Sequence, residues 1–287
     1  MLLGTVLLWA LNITVTKYMF EHGWRPLAYG TIRYFAAIAL FWVFTYRRER
    51  SFRIARADLP LVGLAAFFIF ANQICFVFGI KLAQASTVAL VLGTTPAFIG
   101  VIGIALGYER LPRAFWIGVA VTFAGVALIA VSTGQVGSRL DGTLIAVATA
   151  FTWACYSVSI APLMRRYSPY RISALVLAIG WVPLALVSIP EVVHEQFSFG
   201  WKVWLGFGYA VVGPLFLTNL LWFTSIDRVG AARASLFTNL QPFFAVFFAL
   251  VLLGESLRTL EIAGGILIFG GIAIERYYRR VPAAAPE

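Results

Sequence analysis

Thr5, Trp9, Asn12 and Thr16 follow one another at spacings of four, three and four. On a helix an indole, an amide and two hydroxyls therefore share one stripe, with Lys17 beside it. Such groups hydrogen-bond and stack; they recognise a molecule and do not make or break its bonds. The pattern recurs at Thr149, Trp153 and Tyr156, with Ser157 adjacent. A further pair of stretches sets amides next to aromatics: Asn72, Gln73 and Phe76 in one, Thr218, Asn219 and Trp222 in the other. Bond-making chemistry has no matching constellation. Cys75 and Cys155 lie in apolar runs, where a thiol behaves as a small hydrophobe, and His22 and His194 fall in short connections. With neither an acid/base pair nor a metal-ligand cluster, the sequence reads as a protein that is not an enzyme and takes no metal or cofactor.

The elements that carry these stripes are apolar throughout. The 287 residues are 61% apolar, 16% aromatic and only 12% charged, with mean hydropathy +0.88, a composition that excludes an ordinary water-soluble globule. A membrane-crossing helix needs about 20 apolar residues, and that ruler finds ten: 2–20, 26–46, 59–79, 85–107, 112–131, 142–164, 171–190, 202–224, 231–253 and 257–275. The first run has no basic leader and no small-residue cleavage site, so it is expected to be a retained helix. The net charge of +10 sits in the short connections, which argues for orientation in a bilayer and against nucleic acid. With the N-terminus in the cytoplasm, fifteen Lys and Arg fall in inside segments, among them Arg47 to Arg56, Arg165 and Arg166, and five outside. Both termini are expected in the cytoplasm of a plasma (inner) membrane protein, with the Arg47 to Arg56 cluster available to anionic lipid.

Shifting the sequence by 146 residues brings Pro96 onto Pro242, Glu109 onto Glu255, Gly118 onto Gly264 and Gly125 onto Gly271. A shift of 144 brings Trp9 onto Trp153 and Asn12 onto Tyr156. Each half then holds five spans, and an odd number forces the halves to enter the membrane from opposite sides. The expected fold is an all-α polytopic membrane protein with ten transmembrane helices in a 5+5 inverted-topology repeat: residues 1–134, residues 140–280 and a cytoplasmic tail of 281–287.

The motifs W-A-L-N-x-x-x-x-K at 9–17, R-Y-F-A-A at 33–37, G-Y-E-R-L at 107–111 and G-E-S-L at 254–257 resemble those of EamA-type transporters in the drug/metabolite transporter superfamily. The resemblance spans essentially the whole chain. It implies export of amino acids, other small metabolites or drugs, with an uptake carrier or metabolite exchanger of the same fold as the alternative and a channel least favoured.

A polar stripe is costly against lipid and must face a neighbouring helix or a cavity. The expected substrate-binding set is accordingly Trp9, Asn12, Thr16, Lys17, Arg33, Asn72, Gln73, Phe76, Thr95, Trp153, Tyr156, Asn219, Trp222, Asn239 and Gln241. Any single Thr, Ser or amide here also has a plain reading as a bridge between helices. Pro96 and Pro242 are expected to kink their helices and free a carbonyl. Glu109 and Glu255 read as structural caps of hairpins, and Gly118 and Gly264 as sites of close helix packing. Lys17 and Arg33 have no intramembrane acid to pair with and no cationic counterpart in the second half, where Ala161 and Val176 or Leu177 stand. Two readings of these charges stand: Lys17, alone or with Arg33, attracts or holds a substrate carboxylate, or the two only snorkel to the interface or bond backbone carbonyls. The expected partners are a small-molecule substrate (an amino acid or other metabolite) and membrane lipid, and a homodimer is admitted as an assembly.

Overall fold

Uninterrupted apolar sequence gives uninterrupted helix, because a chain in hydrocarbon must satisfy its own backbone. The computed structural model describes residues 1–82, 91–108, 110–132, 140–241, 243–244 and 259–280. Its long helices are α1 (Leu2–Glu21), α2 (Pro26–Glu49), α3 (Leu59–Leu82), α5 (Arg113–Ser132), α6 (Leu140–Met164), α7 (Pro169–Val193) and α11 (Thr259–Arg280). Shorter ones are α4 (Thr95–Ala105), α8 (Trp201–Val211), α9 (Thr218–Val229) and α10 (Ala231–Leu236). A π-helical stretch, Val212–Leu217, joins α8 to α9 without a break, and no strand occurs among the described residues. Six of these segments are long and apolar enough to cross a membrane: Leu2–Glu21, Pro26–Glu49, Arg56–Leu82, Leu144–Met164, Pro169–Val193 and Trp201–Val229. Large apolar side chains such as Phe67, Leu186 and Ile266 are exposed on the outside of the bundle, as lipid contact requires. The chain is an all-helical integral membrane protein.

Connections carry the expected turn chemistry. Proline opens α2 and α7, where its missing N–H is one that a helix start leaves free anyway, and Ser168 caps α7 by accepting from the Arg171 N–H. After α1 the chain turns at Gly23, whose φ of 101° suits only glycine comfortably.

The helices pair as α5 with α11, α3 with α6 and α7, α2 with α7, and α1 with α9. The α5–α11 contact is closest. A β-carbon at Gly125 would stand 2.5 Å from the Gly264 carbonyl oxygen, and one at Gly271 would stand 2.8 Å from the Gly118 carbonyl oxygen. The glycines therefore pack backbone on backbone, in reciprocal fashion.

The fourth predicted span departs from expectation. Proline at 96 does not kink a continuous helix: the chain turns at Gly93 and Thr94, and α4 starts afresh at Thr95 with proline in its first turn. Thr94 Oγ1 donates to the Val91 carbonyl at 2.6 Å and so closes the end of the preceding turn. At the corresponding place in the second half α10 tightens into a 3-10 turn, Phe237–Asn239. Pro242, Glu109, Glu255, residues 245–253 of the ninth predicted span and the 281–287 tail lie outside the described residues.

Candidate functional site

Three indoles from three helices meet inside the bundle. Trp9 on α1 lies 5.4 Å from Trp153 on α6, ring centre to ring centre and edge-on at 87°, and 5.1 Å from Trp222 on α9. Trp153 and Trp222 are 6.3 Å apart. Edge-on and tilted arrangements suit the ring quadrupoles. Trp222 is fully buried, while Trp9 and Trp153 are only partly so, which leaves two of the three rings with an open face. Tyr156, one turn beyond Trp153, packs against it at 5.5 Å and against Phe223 at 5.9 Å.

Hydrogen bonds fix the cage. Trp9 Nε1 donates to Thr218 Oγ1 at 3.0 Å, and the Thr218 hydroxyl donates in turn to the Pro214 carbonyl. That carbonyl lies within the π-helical stretch, which is wider than an α-helical turn. The Asn219 amide likewise donates to the Leu215 carbonyl. Tyr209 donates to the Leu8 carbonyl at 2.8 Å, tying α8 to α1 beside Trp9.

The expected site residues divide into three groups. Trp9, Trp153, Tyr156 and Trp222 come together. Asn72, Asn219 and Asn239 already have partners for their amide N–H groups: Asn72 donates to the Thr149 carbonyl at 2.9 Å and to Thr152 Oγ1 at 3.3 Å, joining α3 to α6, and Asn239 donates to Thr122 Oγ1 at 2.8 Å, against α5. Thr95 is buried at the start of α4, and Phe76 and Gln241 are partly buried.

Thr16, Lys17 and Arg33 form the third group. Thr16 is buried with its hydroxyl 3.5 Å from the Tyr29 hydroxyl. Lys17, the next residue, is exposed on the other side of α1. Arg33 is 2% exposed; its Nη1 donates to Asn12 Oδ1 at 3.4 Å, and its guanidinium lies 4.9 Å from the centre of the Tyr29 ring and 5.9 Å from that of Tyr34. The structure thus separates the two cations that the sequence grouped. It also adds Tyr29 and Tyr34, which the sequence reading passed over; the signal was Tyr29 four residues before Arg33, a spacing that stacks the pair on one helix face.

Both ends of the α2–α7 pair are tied. At one end the Glu191 carboxylate accepts from the Leu27 and Ala28 N–H groups at 2.6 and 3.2 Å, and Glu195 from that of Arg25 at 3.0 Å. There Trp24 stacks between Phe199 and Phe207. At the other end Arg171 Nε donates to Glu49 at 2.5 Å, and Asp58 accepts from Arg166 at 2.5 Å and Tyr167 at 2.7 Å. Among the described residues no group of His, Cys, Asp and Glu could hold a metal ion.

A probable amino-acid metabolite efflux pump of Salmonella typhimurium is 27% identical over 98% of this chain and 95% of its own. A probable terminal-alkyne amino-acid exporter of Streptantibioticus cattleyicolor is 26% identical over 76% of this chain and 73% of its own. The uncharacterized transporter YetK of Bacillus subtilis is 25% identical over 96% and 85%. One crystal structure shares the fold with a TM-score of 0.81 at 20% identity, covering 98% of this chain and 97% of that one. The model of the EamA-like transporter family matches residues 1–131 and again 140–275, so this chain is a membrane transporter belonging to that family.

Proposed function

We propose that the protein exports amino acids or similar small metabolites across the plasma (inner) membrane by alternating access, two five-helix halves rocking about the tryptophan cage. The observation that carries this reading is the cage itself: Trp9 comes from the first half, Trp153 and Trp222 from the second, so any movement of one half against the other reshapes it. Small amphipathic molecules bind where aromatic walls meet a few convergent hydrogen-bonding groups.

Two further observations support an inverted repeat. The family model matches the chain twice, and the glycine contacts are reciprocal: Gly125 meets Gly264 while its counterpart Gly271 meets Gly118, the pattern a pseudo-two-fold axis between α5 and α11 produces. The ties on α2 and α7 support alternating access in the same way. Glu191 near the end of α7 holds the start of α2, and Glu49 at the end of α2 holds the start of α7. One tie at each membrane face is what a carrier must break in turn. The excess of Arg and Lys in alternate connections supports a cytoplasmic position for both termini; the outward direction is taken from the relatives' names.

Counterflow in purified proteoliposomes tests the reading. Vesicles loaded with mixed amino acids take up labelled aromatic or aliphatic amino acids in a saturable, trans-stimulated way, and Trp153→Ala lowers that uptake at least about tenfold. Absence of exchange for every amino acid, with intact protein, would sink the amino-acid reading.

A further inference from the structure

We infer that Arg33 is the receptor for a carboxylate on the transported molecule, so that the carrier accepts amino acids and other organic acids and rejects their amides and amines. This rests on the reading that the tryptophan cage takes the substrate. Arg33 lies seven residues past Pro26, about 10 Å along α2 at helical rise, and is 2% exposed. A guanidinium carries five N–H donors. Here one of them reaches a partner, the long bond to Asn12, and Nε has none. The flanking Tyr29 and Tyr34 rings offer a cation–π surface but no negative charge.

Among the described residues no acid pairs with it. Every Asp and Glu among the described residues lies in a connection or near a helix end: Glu21 ends α1, Glu49 ends α2, Asp141 opens α6 and Asp227 is close to the end of α9. The described acids nearest the faces of the bundle are engaged elsewhere, Glu49 by Arg171 and Glu191 by the start of α2. A buried cation without a counter-ion is costly, and the cost is relieved by whatever anion can enter.

The other orphaned groups point the same way. Gln73 Nε2, Tyr156 Oη and Trp222 Nε1 are all buried without a hydrogen-bond partner, and each can donate. Gln73 Nε2 lies against Gly30, where a β-carbon would stand 2.9 Å from it, one turn from Arg33 on the same helix. Asn12, which holds the guanidinium, is one turn from Trp9 in the cage. Donors without acceptors call for an acceptor-rich ligand, and a carboxylate brings about four lone-pair sites and a geometry that the guanidinium fork matches. The counterpart positions in the second half, Val176 and Leu177, are buried and apolar. The site therefore takes one carboxylate, and the aromatic cage is left for the rest of the molecule.

The test compares phenylalanine, phenylacetate, phenylalaninamide and phenethylamine as probes, read by the shift each gives to the melting temperature of the purified protein and by counterflow. The two carboxylates stabilise the wild type and the amide and amine do not. Arg33→Gln loses that response, with carboxylate affinity at least about tenfold lower. Arg33→Lys, which keeps the charge and loses the fork, guards against a Gln variant that fails to fold and responds more weakly than wild type. Equal response to amide and acid, an unchanged response in both variants, or a wild type indifferent to both carboxylates overturns the inference. Carboxylate binding that depends on Arg33 without any exchange would instead strike the export reading and leave this one standing.

Discussion

Trp9 and Trp153 occupy equivalent places in the two halves of the chain and touch each other, yet the helices that follow them differ in kind. The first half continues into α2, with Arg33 buried beside Tyr29 and Tyr34; the second continues into α7, where Val176 and Leu177 fill the corresponding space. Packing is shared between the halves and charge is not. A frame whose halves are alike can open toward either face with similar contacts, whereas a single cation gives the bound molecule one orientation. In the proposed carrier the glycine contacts and end ties belong to the frame, and Arg33 and Asn12 to recognition.

Breaking the frame should have the largest effect. Gly125→Leu and Gly271→Leu each force a side chain into an opposing backbone, well beyond the ~1–3 kcal/mol of ordinary overpacking, and neither should yield a monodisperse peak on gel filtration. Gly208→Leu, whose β-carbon would meet nothing within 4 Å, should behave as wild type. If only one of the two contact glycines proves intolerant, the α5–α11 contact is not reciprocal in energy. Copying the charge into the second half comes next: Val176→Arg buries a cation without a partner and should cost about 2.5–3.5 kcal/mol in denaturation by SDS. A tolerated Val176→Arg would place polar space in the second half too and remove the asymmetry. Glu191→Gln and Glu49→Gln should each cost about 1–2 kcal/mol, through loss of charge-assisted bonds at a helix start. Unequal costs would mark one end of the α2–α7 pair as the firmer. Smallest of all, Lys17→Ala should change stability by less than about 0.5 kcal/mol and leave carboxylate exchange intact; a drop in exchange would mean that Arg33 does not act alone.

Much of the scaffold was legible in the sequence because a bilayer imposes length and hydropathy directly: the run read at 26–46 is the helix Pro26–Glu49, and that at 59–79 is Leu59–Leu82. The stripe spacing likewise placed Thr5, Asn12 and Thr16 on the buried side of α1, with Trp9 partly buried among them. Periodicity names the residues that share a face but not the neighbour that face meets. Asn72 and Asn239 were read as ligand groups from their spacing, which carried no signal for the partners their amides have in Thr149, Thr152 and Thr122 on other helices. Lys17 and Arg33 were grouped because Lys17, late in the first span, and Arg33, early in the second, both read toward the outer part of the protein; a rotation of 100° per residue, which puts Lys17 a step past the buried Thr16, leaves Lys17 exposed while Arg33 is buried. Proline at 96 carried a signal for helix disruption but not its form, since the same residue can kink a helix or begin one.

The π-helical stretch Val212–Leu217 coincides with a change in sequence spacing. Upstream of it an offset of 145 pairs Gly63 with Gly208 and Ala65 with Ala210; downstream an offset of 146 pairs Phe70 with Phe216 and Gln73 with Asn219. Between these points the second stretch is one residue longer. In water an added residue can bulge into a loop, but in hydrocarbon a loop would strand its N–H and C=O groups, so the extra residue stays within the helix as a wider turn. The carbonyls of Pro214 and Leu215 in that turn hold Thr218 and Asn219, so the accommodation of one extra residue is also the footing of the cage.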